Sequence, residues 1–150
     1  ATDPAPDFTL PRDGGGTVTL SALRPGKVVL YFYPKDDTPG CTLEAQDFNA
    51  RLADFTAAGA TVIGISKDSV KSHDKFCKKH GLGIVLASDE TGTTCEDYGV
   101  WQEKSMYGKT YMGIQRATFL IGGDGRVARV WPKVSVKGHA DEVLAAVKAL

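Results

Sequence analysis

Apolar residues follow two rhythms along this chain, and the alternation between them outlines an α/β protein. Val28-Val29-Leu30-Tyr31-Phe32-Tyr33 is a continuous apolar run, the pattern of a strand covered on both faces. Thr61-Val62-Ile63-Gly64-Ile65-Ser66 is a second such strand. Between them, the segment from Cys41 to about Ala58 carries Phe48, Leu52 and Phe55 and ends at Gly59, which predicts one helix with a single apolar stripe. Ser69 is placed to cap a further helix that runs through His80 and stops at Gly81. Ile84 to Ala87 reads as a strand and Thr91 to Tyr98 as a short helix. Arg116 to Ile121 and Arg126 to Trp131 read as strands joined by Gly122-Gly123-Asp124-Gly125, a hairpin signal. Ala140 to Leu150 closes the chain as an amphipathic helix with Val143, Leu144 and Val147 on its inner face. At the other end, Phe8-Thr9-Leu10 and Thr17-Val18-Thr19-Leu20 flank a Gly-rich turn, a small hairpin.

Strand and helix alternate first, and an antiparallel pair and a terminal helix follow. That order predicts a mixed central sheet with helices on both faces. A thioredoxin-like fold fits it, with an N-terminal β-hairpin extension and an inserted strand–helix unit. The 150 residues suit one domain, 1–150, large enough for a core without disulfide staples. No linker, repeat or low-complexity tract divides it.

Charge narrows the function. Lys plus Arg number 18, as do Asp plus Glu, for a formal net charge of zero. An electrostatic binder of nucleic acid or of a membrane surface needs a basic excess, so neither partner is expected. No apolar run reaches membrane-span length, and Ala1-Thr2-Asp3-Pro4 lacks the charged-then-apolar order of a signal peptide. The missing initiator Met is read as a processed or trimmed start, which leaves room for a targeting segment already removed. Cys41, Cys77 and Cys95 are too few and too scattered for a secreted disulfide framework. The expectation is therefore a cytoplasmic protein, monomeric given its balanced charge, that uses at least one cysteine chemically.

Cys41 is that cysteine. Thr38-Pro39-Gly40 reads as a helix start, with Thr38 as N-cap and Pro39 at the first helical position. The Cys41 sulfur then falls in the first turn, where unpaired N–H groups and the helix dipole favour an anion. A thiol there gives up its proton more readily than a free one, and the thiolate is the nucleophile. Thr38 can both cap the helix and offer its hydroxyl to a ligand beside the sulfur. Pro34 ends the preceding strand, and its ring would shield a thiolate from water.

The other candidates carry open alternatives. Alternation in Ile114-Gln115-Arg116-Ala117-Thr118-Phe119-Leu120 puts Ile114, Arg116, Thr118 and Leu120 on one face. Arg116 there needs an anion or a route to solvent: a carboxylate, an exposed strand start, or the Cys41 sulfur all serve. Cys77 lies among Lys75, Lys78 and Lys79, a surround that favours a thiolate if the sulfur is exposed. It could equally be a core cysteine on the face of Val70, or one of three metal ligands with His73 and His80 along one helix face. Three ligands without a fourth make a weak zinc signature, and a solvated histidine pair competes with it. Cys95 has acidic neighbours that raise a thiol pKa and is read as inert.

The run Tyr31-Phe32-Tyr33-Pro34-Lys35-Asp36-Asp37-Thr38-Pro39-Gly40-Cys41-Thr42 resembles the peroxiredoxin signature Pro-x-x-x-Thr/Ser-x-x-Cys. More narrowly it is similar to the bacterioferritin-comigratory-protein, or peroxiredoxin Q, subfamily. The resemblance extends through Pro6 to Leu10, Val62 to Asp68, Ile114 to Leu120 and Gly138-His139-Ala140. It implies a thioredoxin-dependent thiol peroxidase that reduces hydrogen peroxide and organic hydroperoxides. Cys41 would be the peroxidatic cysteine, Thr38 and Arg116 would hold the peroxide, Pro34 would shield it, and Glu44 would support by hydrogen bonding. Many members place a resolving cysteine five residues after the peroxidatic one, where this chain has Gln46. Others place it in the next helix, as Cys77 does, and the resemblance therefore implies an intramolecular Cys41–Cys77 disulfide, the atypical two-cysteine arrangement. Because both sulfurs are expected on helices and a disulfide needs close Cα atoms, the first turn after Pro39 and the helix around Cys77 are expected to unravel on oxidation. The partners implied are a peroxide and a thioredoxin or glutaredoxin-like dithiol, with no metal, haem or flavin cofactor. A redox sensor or holdase, whose Cys41 oxidation controls partner binding, is the alternative on the same fold. A cysteine hydrolase fits least, since no histidine neighbours Cys41.

Overall fold

The central strand decides the architecture, because every residue of its apolar run is buried and the two sides of the strand feed two cores. The structure is a computed structural model and describes residues 3–150; Ala1 and Thr2, part of the stretch read above for a signal peptide, lie outside the described residues. Strand β3 (Lys27–Phe32) pairs in parallel with β4 (Ala60–Ser66) and antiparallel with β8 (Ala117–Ile121). Strand β5 (Val85–Ser88) extends the β4 side and β9 (Val127–Trp131) the β8 side, giving the order β5-β4-β3-β8-β9. The sheet is mixed, as expected. Val28, Leu30 and Phe32 enter one apolar cluster, while Val29, Tyr31 and Tyr33 enter the other. Each large side chain so buried contributes about 1.5–3 kcal/mol.

Helices α1 (Pro39–Ala50), α2 (Leu52–Ala57), α3 (Val70–His80) and α5 (His139–Ala149) bring Phe48, Phe55, Phe76 and Val143 to the second cluster. The opposite cluster takes Leu10 and Val18 from the N-terminal hairpin, β1 (Thr9–Pro11) with β2 (Thr17–Thr19), and Cys95 from the four-residue α4 (Thr94–Asp97). Both faces therefore carry helices, but the long ones gather on the Cys41 side.

Several local readings change, and the helix read from Thr91 to Tyr98 shortens to Thr94–Asp97. The helix expected from Cys41 to Ala58 is two helices, broken at Arg51. The apolar stripe runs on across the break, so periodicity could not reveal it; the Arg51 side chain is drawn aside to Asp141 and to the Asp47 carbonyl. The strand expected from Arg116 starts at Ala117. Strands β6 (Trp101–Met106) and β7 (Lys109–Ile114) form a hairpin that the apolar pattern did not announce. Its residues are mostly exposed, so little buried alternation is written into it. The α3 boundaries hold: the Ser69 hydroxyl accepts from Ser72 N, and Gly81 closes the helix at φ 61°. Gly64 matters differently, since a Cβ there would stand 2.6 Å from Tyr31 Cζ. Only glycine lets that ring lie across β4 and stack on Phe48 of α1.

Candidate active site

Pro39 opens α1 as its first residue, where the missing N–H costs no intrahelical bond. Cys41 follows in the first turn and is 2% exposed. Arg116 Nη2 donates to its Sγ at 3.2 Å, and Nη1 of the same guanidinium donates to Glu44 Oε1, one turn further along α1. Of the partners open to Arg116 from sequence, it therefore takes two at once. This is the forked, always-charged geometry that a lysine cannot supply. A Cβ on Gly40 would come 3.4 Å from Nη2, an ordinary contact, so the guanidinium lies directly over the residue before Cys41.

Arg116 sits in the break between β7 and β8, with its carbonyl accepting from Val134 N. The break limits the predicted alternation. Leu120 shares a cluster with Cys41, whereas Ile114 packs in the opposite one. Burial pulls the Arg116 pKa down, but the charges of Glu44 and Cys41 more than offset it and the net direction is up. Lys104, from the unannounced hairpin, is pulled down by burial and then by the charge of Arg116.

Glu44 is 1% exposed, and burial pushes its carboxyl up to about 7 against the pull of Arg116. Its Oε2 has no hydrogen-bond partner among the described residues. A folded pKa above the ordinary 4.5 means that the folded protein binds the extra proton between those values. That stability is present below 4.5 and is lost as pH rises through about 7. We expect denaturant unfolding to show wild type losing more stability than Glu44→Gln between pH 4.5 and 7. Parallel curves for the two proteins would remove the carboxyl from this account.

Thr38 occupies the N-cap position, but its hydroxyl does not cap. It donates to Lys35 O at 2.9 Å, while the Thr38 carbonyl accepts from Thr42 N. With its hydrogen committed to Lys35, the hydroxyl can only accept from a ligand. Pro34 is exposed, two positions beyond the last residue of β3.

Cys77 departs most from the sequence reading. Its sulfur lies half-buried, 3.7 Å from Asp13 Oδ2 of the N-terminal hairpin turn. Burial and then the Asp13 charge push its thiol up to about 12, so the nearby lysines do not make a thiolate; Lys75, Lys78 and Lys79 are exposed, and Lys79 pairs with Asp37. The three-ligand metal reading also fails. His80 faces Asp37 at 3.1 Å, whereas His73 is fully buried against Asp36 at 2.6 Å. His73 is thus no solvated residue either. The groups that converge are Asp36, Asp68 and His73, within 4.8 Å, and Asp36 hydrogen-bonds to both of the others. Cys95 is buried, its thiol raised by burial and then by Asp89, in keeping with an inert role. All three cysteines are unpaired.

Sequence reasoning missed the Asp36–His73 pair and His139. Asp36 lies inside the signature, but nothing local shows that its side chain turns inward. His139 is buried beneath Phe48 and Trp131, held by Thr118 Oγ1 at 2.7 Å; its signals were its place at a helix start and in the Gly138-His139-Ala140 stretch of the resemblance, neither of which assigned it a role.

Comparison with known proteins bears on this geometry. The model of the AhpC/TSA family matches residues 1–130. The chain is 53% identical over 148 residues to peroxiredoxin Bcp of Xanthomonas campestris, covering 97% of this chain and 92% of that protein. It is 42% identical over 144 residues to peroxiredoxin Bcp of Escherichia coli K12, covering 96% and 92%. Among solved structures, a Xanthomonas campestris peroxiredoxin Q superposes with TM-score 0.90 at 52% identity, covering 95% of this chain and 90% of that one. A bacterioferritin comigratory protein of the same organism, studied for alkyl peroxide reduction, superposes with TM-score 0.90 at 51% identity over the same shares.

Proposed function

We propose, from the premise that this chain belongs to the AhpC/TSA family and within it to the peroxiredoxins of the Bcp/Q type, that its thiol peroxidase chemistry runs through a Cys41 sulfenic acid resolved by Cys77. The observation that carries the reading is the guanidinium that faces both the Cys41 sulfur and Glu44. The Cys41 thiolate attacks one oxygen of a hydroperoxide. An S–O bond forms as the O–O bond breaks, and the departing oxygen takes a proton to leave as water or an alcohol. Arg116 donates to the oxygens as charge moves between them, and Thr38 accepts from the peroxide O–H. Glu44 holds the guanidinium in place, and Pro34 shields the sulfur. Hydrogen peroxide and organic hydroperoxides are substrates on this reading, which the alkyl peroxide reduction activity of the Xanthomonas protein supports.

Resolution requires movement. In its folded position Cys77 is held protonated by burial and Asp13, so it becomes an attacking thiolate only after leaving it. It then displaces the oxygen from Cys41: an S–S bond forms, the S–O bond breaks, and hydroxide leaves as water after taking a proton. A thioredoxin or glutaredoxin-like dithiol reduces the disulfide and restores both thiols. The same reading takes the protein as a cytoplasmic monomer.

Mass spectrometry after one equivalent of peroxide is expected to find a Cys41–Cys77 disulfide. Cys77→Ser should keep a single rapid turnover and lose most steady-state activity with thioredoxin. Normal turnover by that variant would sink the resolving assignment. Fast Cys41 oxidation in wild type with slow turnover under reductant would favour a sensor instead.

A further inference from the structure

The loop that delivers Cys41 to α1 is fastened to α3 at two places of unlike character. Toward the start of α3, the buried Asp36 carboxylate meets His73 Nδ1 at 2.6 Å. Ser72 Oγ donates to the same Asp36 oxygen at 2.8 Å, Tyr33 Oη donates to the other at 2.6 Å, and Asp36 N donates to Asp68 Oδ2 at 2.8 Å. Toward the end of α3, Asp37 reaches Lys79 Nζ at 2.8 Å and His80 Nε2 at 3.1 Å. There the Asp37 and Lys79 side chains are 45% and 62% exposed. Cys77 lies between the two fastenings, one turn beyond His73.

Proton accounting identifies the inner pair. His73 Nε2 stands 3.0 Å from the Ala87 carbonyl of β5, which can only accept, so Nε2 carries hydrogen. Nδ1 faces Asp36 Oδ2, and both Asp36 oxygens already accept from hydroxyls, so neither is the donor between the two groups. Nδ1 then carries hydrogen as well, and His73 is a buried imidazolium. The groups facing it are Asp36 from the loop, Asp68 from the β4–α3 connection, Tyr33 from the residue after β3 and the Ala87 carbonyl from β5. Burial pulls His73 down, while hydrogen bonding and charge from Asp36 more than offset it; the net direction is up. Separating this pair would strand charge away from water. The outer pair separates into solvent and is screened by salt.

We propose that His73 is a positioning residue for the resolving step: with Asp36 it locks the first half of α3 to the Cys41 loop, so that unwinding begins after Phe76 and releases only the last turn with Cys77. The inference rests on the reading of Cys77 as the resolving cysteine. Phe76 is buried in the core beside this lock. Beyond it the helix end is held by the Asp37 clasp, by long contacts from Gln46 to His80 and from Asn49 to Gly81 O at 3.4 Å, by Cys77 Sγ to Asp13 at 3.7 Å, by the Phe76–His80 ring contact and by the Leu82 N to Cys77 O bond, none of them a buried charge pair. On the Cys41 side, Asp37 to Gly40 is the stretch between the lock and the sulfur, held by the Asp37 clasp and by Thr38 to Lys35 O.

Hydrogen–deuterium exchange of reduced and disulfide wild type tests this. The amides of residues 73–76 should keep their protection in the disulfide form, while those of 78–82 should exchange about tenfold faster or more. In His73→Gln the boundary should vanish, with residues 70–82 opening together. Disulfide formation should then outrun over-oxidation, so the fraction of Cys41 sulfinic acid at fixed excess peroxide falls several-fold. A residue that merely stabilised the fold would lower the unfolding midpoint without moving that partition. Ser72→Ala, which removes one donor to Asp36, should shift it in the same direction by less, and serves if His73→Gln folds poorly. Loss of protection from Val70 onward in wild-type disulfide protein overturns the lock, as does an unmoved boundary in His73→Gln. If wild type forms no Cys41–Cys77 disulfide, the resolving assignment fails first, and the missing disulfide mass shows it before any exchange is read.

Discussion

Cys41→Ser should lower the rate of peroxide reduction by about four orders of magnitude or more while leaving the fold unchanged. The substitution is close to isosteric, and the site is sealed at 2% exposure, so packing has little to lose. Arg116 keeps an acceptor, because the hydroxyl takes the position that the sulfur held at 3.2 Å. What disappears is the chemistry. A hydroxyl is scarcely ionised at neutral pH and cannot cycle through a sulfenic acid. No other thiol substitutes: burial and Asp13 push Cys77 up to about 12, and Cys95 is buried and raised by Asp89. Stopped-flow peroxide consumption measures the loss, and an unchanged thermal midpoint shows that it is not unfolding. Residual activity above about one per cent of wild type would move the chemistry to another sulfur.

How far the site could be read in advance follows the range of each interaction. The strand, the Pro-bearing turn and the first helical turn at Cys41 are set by neighbours in sequence, and all three form where the chain spells them. The partners of Arg116 come from residues distant in sequence. Alternation along its own segment offered three anions or exits without choosing, and it misplaced Ile114 because the strand breaks at Gln115–Arg116. Cys77 shows a stronger failure. Its lysine neighbours are local and visible, but the dominant influences are burial and an aspartate brought in by the N-terminal hairpin. Charge counted along a helix says nothing about which way a sulfur faces. The Asp36–His73 pair joins a loop to a helix across the β3–β5 side of the sheet, and only the fold makes the two meet. Oxidation chemistry adds a further layer, since the folded position of Cys77 is the one in which it does not react.

Arg116→Met should slow the second-order reaction of Cys41 with peroxide by about 10²–10³-fold, the range for removing a preorganised donor from developing charge. The same change carries a structural cost that has to be separated from it. It strands the Glu44 carboxylate, 1% exposed and already raised to about 7 by burial, and breaking a buried pair in this way costs about 3–5 kcal/mol. The carboxyl then takes up a proton at neutral pH, which recovers part of that loss. Combining Arg116→Met with Glu44→Gln removes the stranded charge altogether, so stability should return most of the way toward wild type. The peroxide rate should not return with it, because the donor to the sulfur is still absent. That divergence is the informative result: a double-mutant cycle should give coupling in stability and little coupling in rate. Arg116→Lys supplies the third point. A lysine restores a positive charge but not the fork, and must choose between Cys41 and Glu44, so its rate should lie between methionine and arginine. Full recovery by lysine would mean that charge alone suffices. Recovery of rate in the methionine–glutamine double variant would mean that Arg116 acts only by neutralising Glu44, and the sulfur would then need another source of stabilisation.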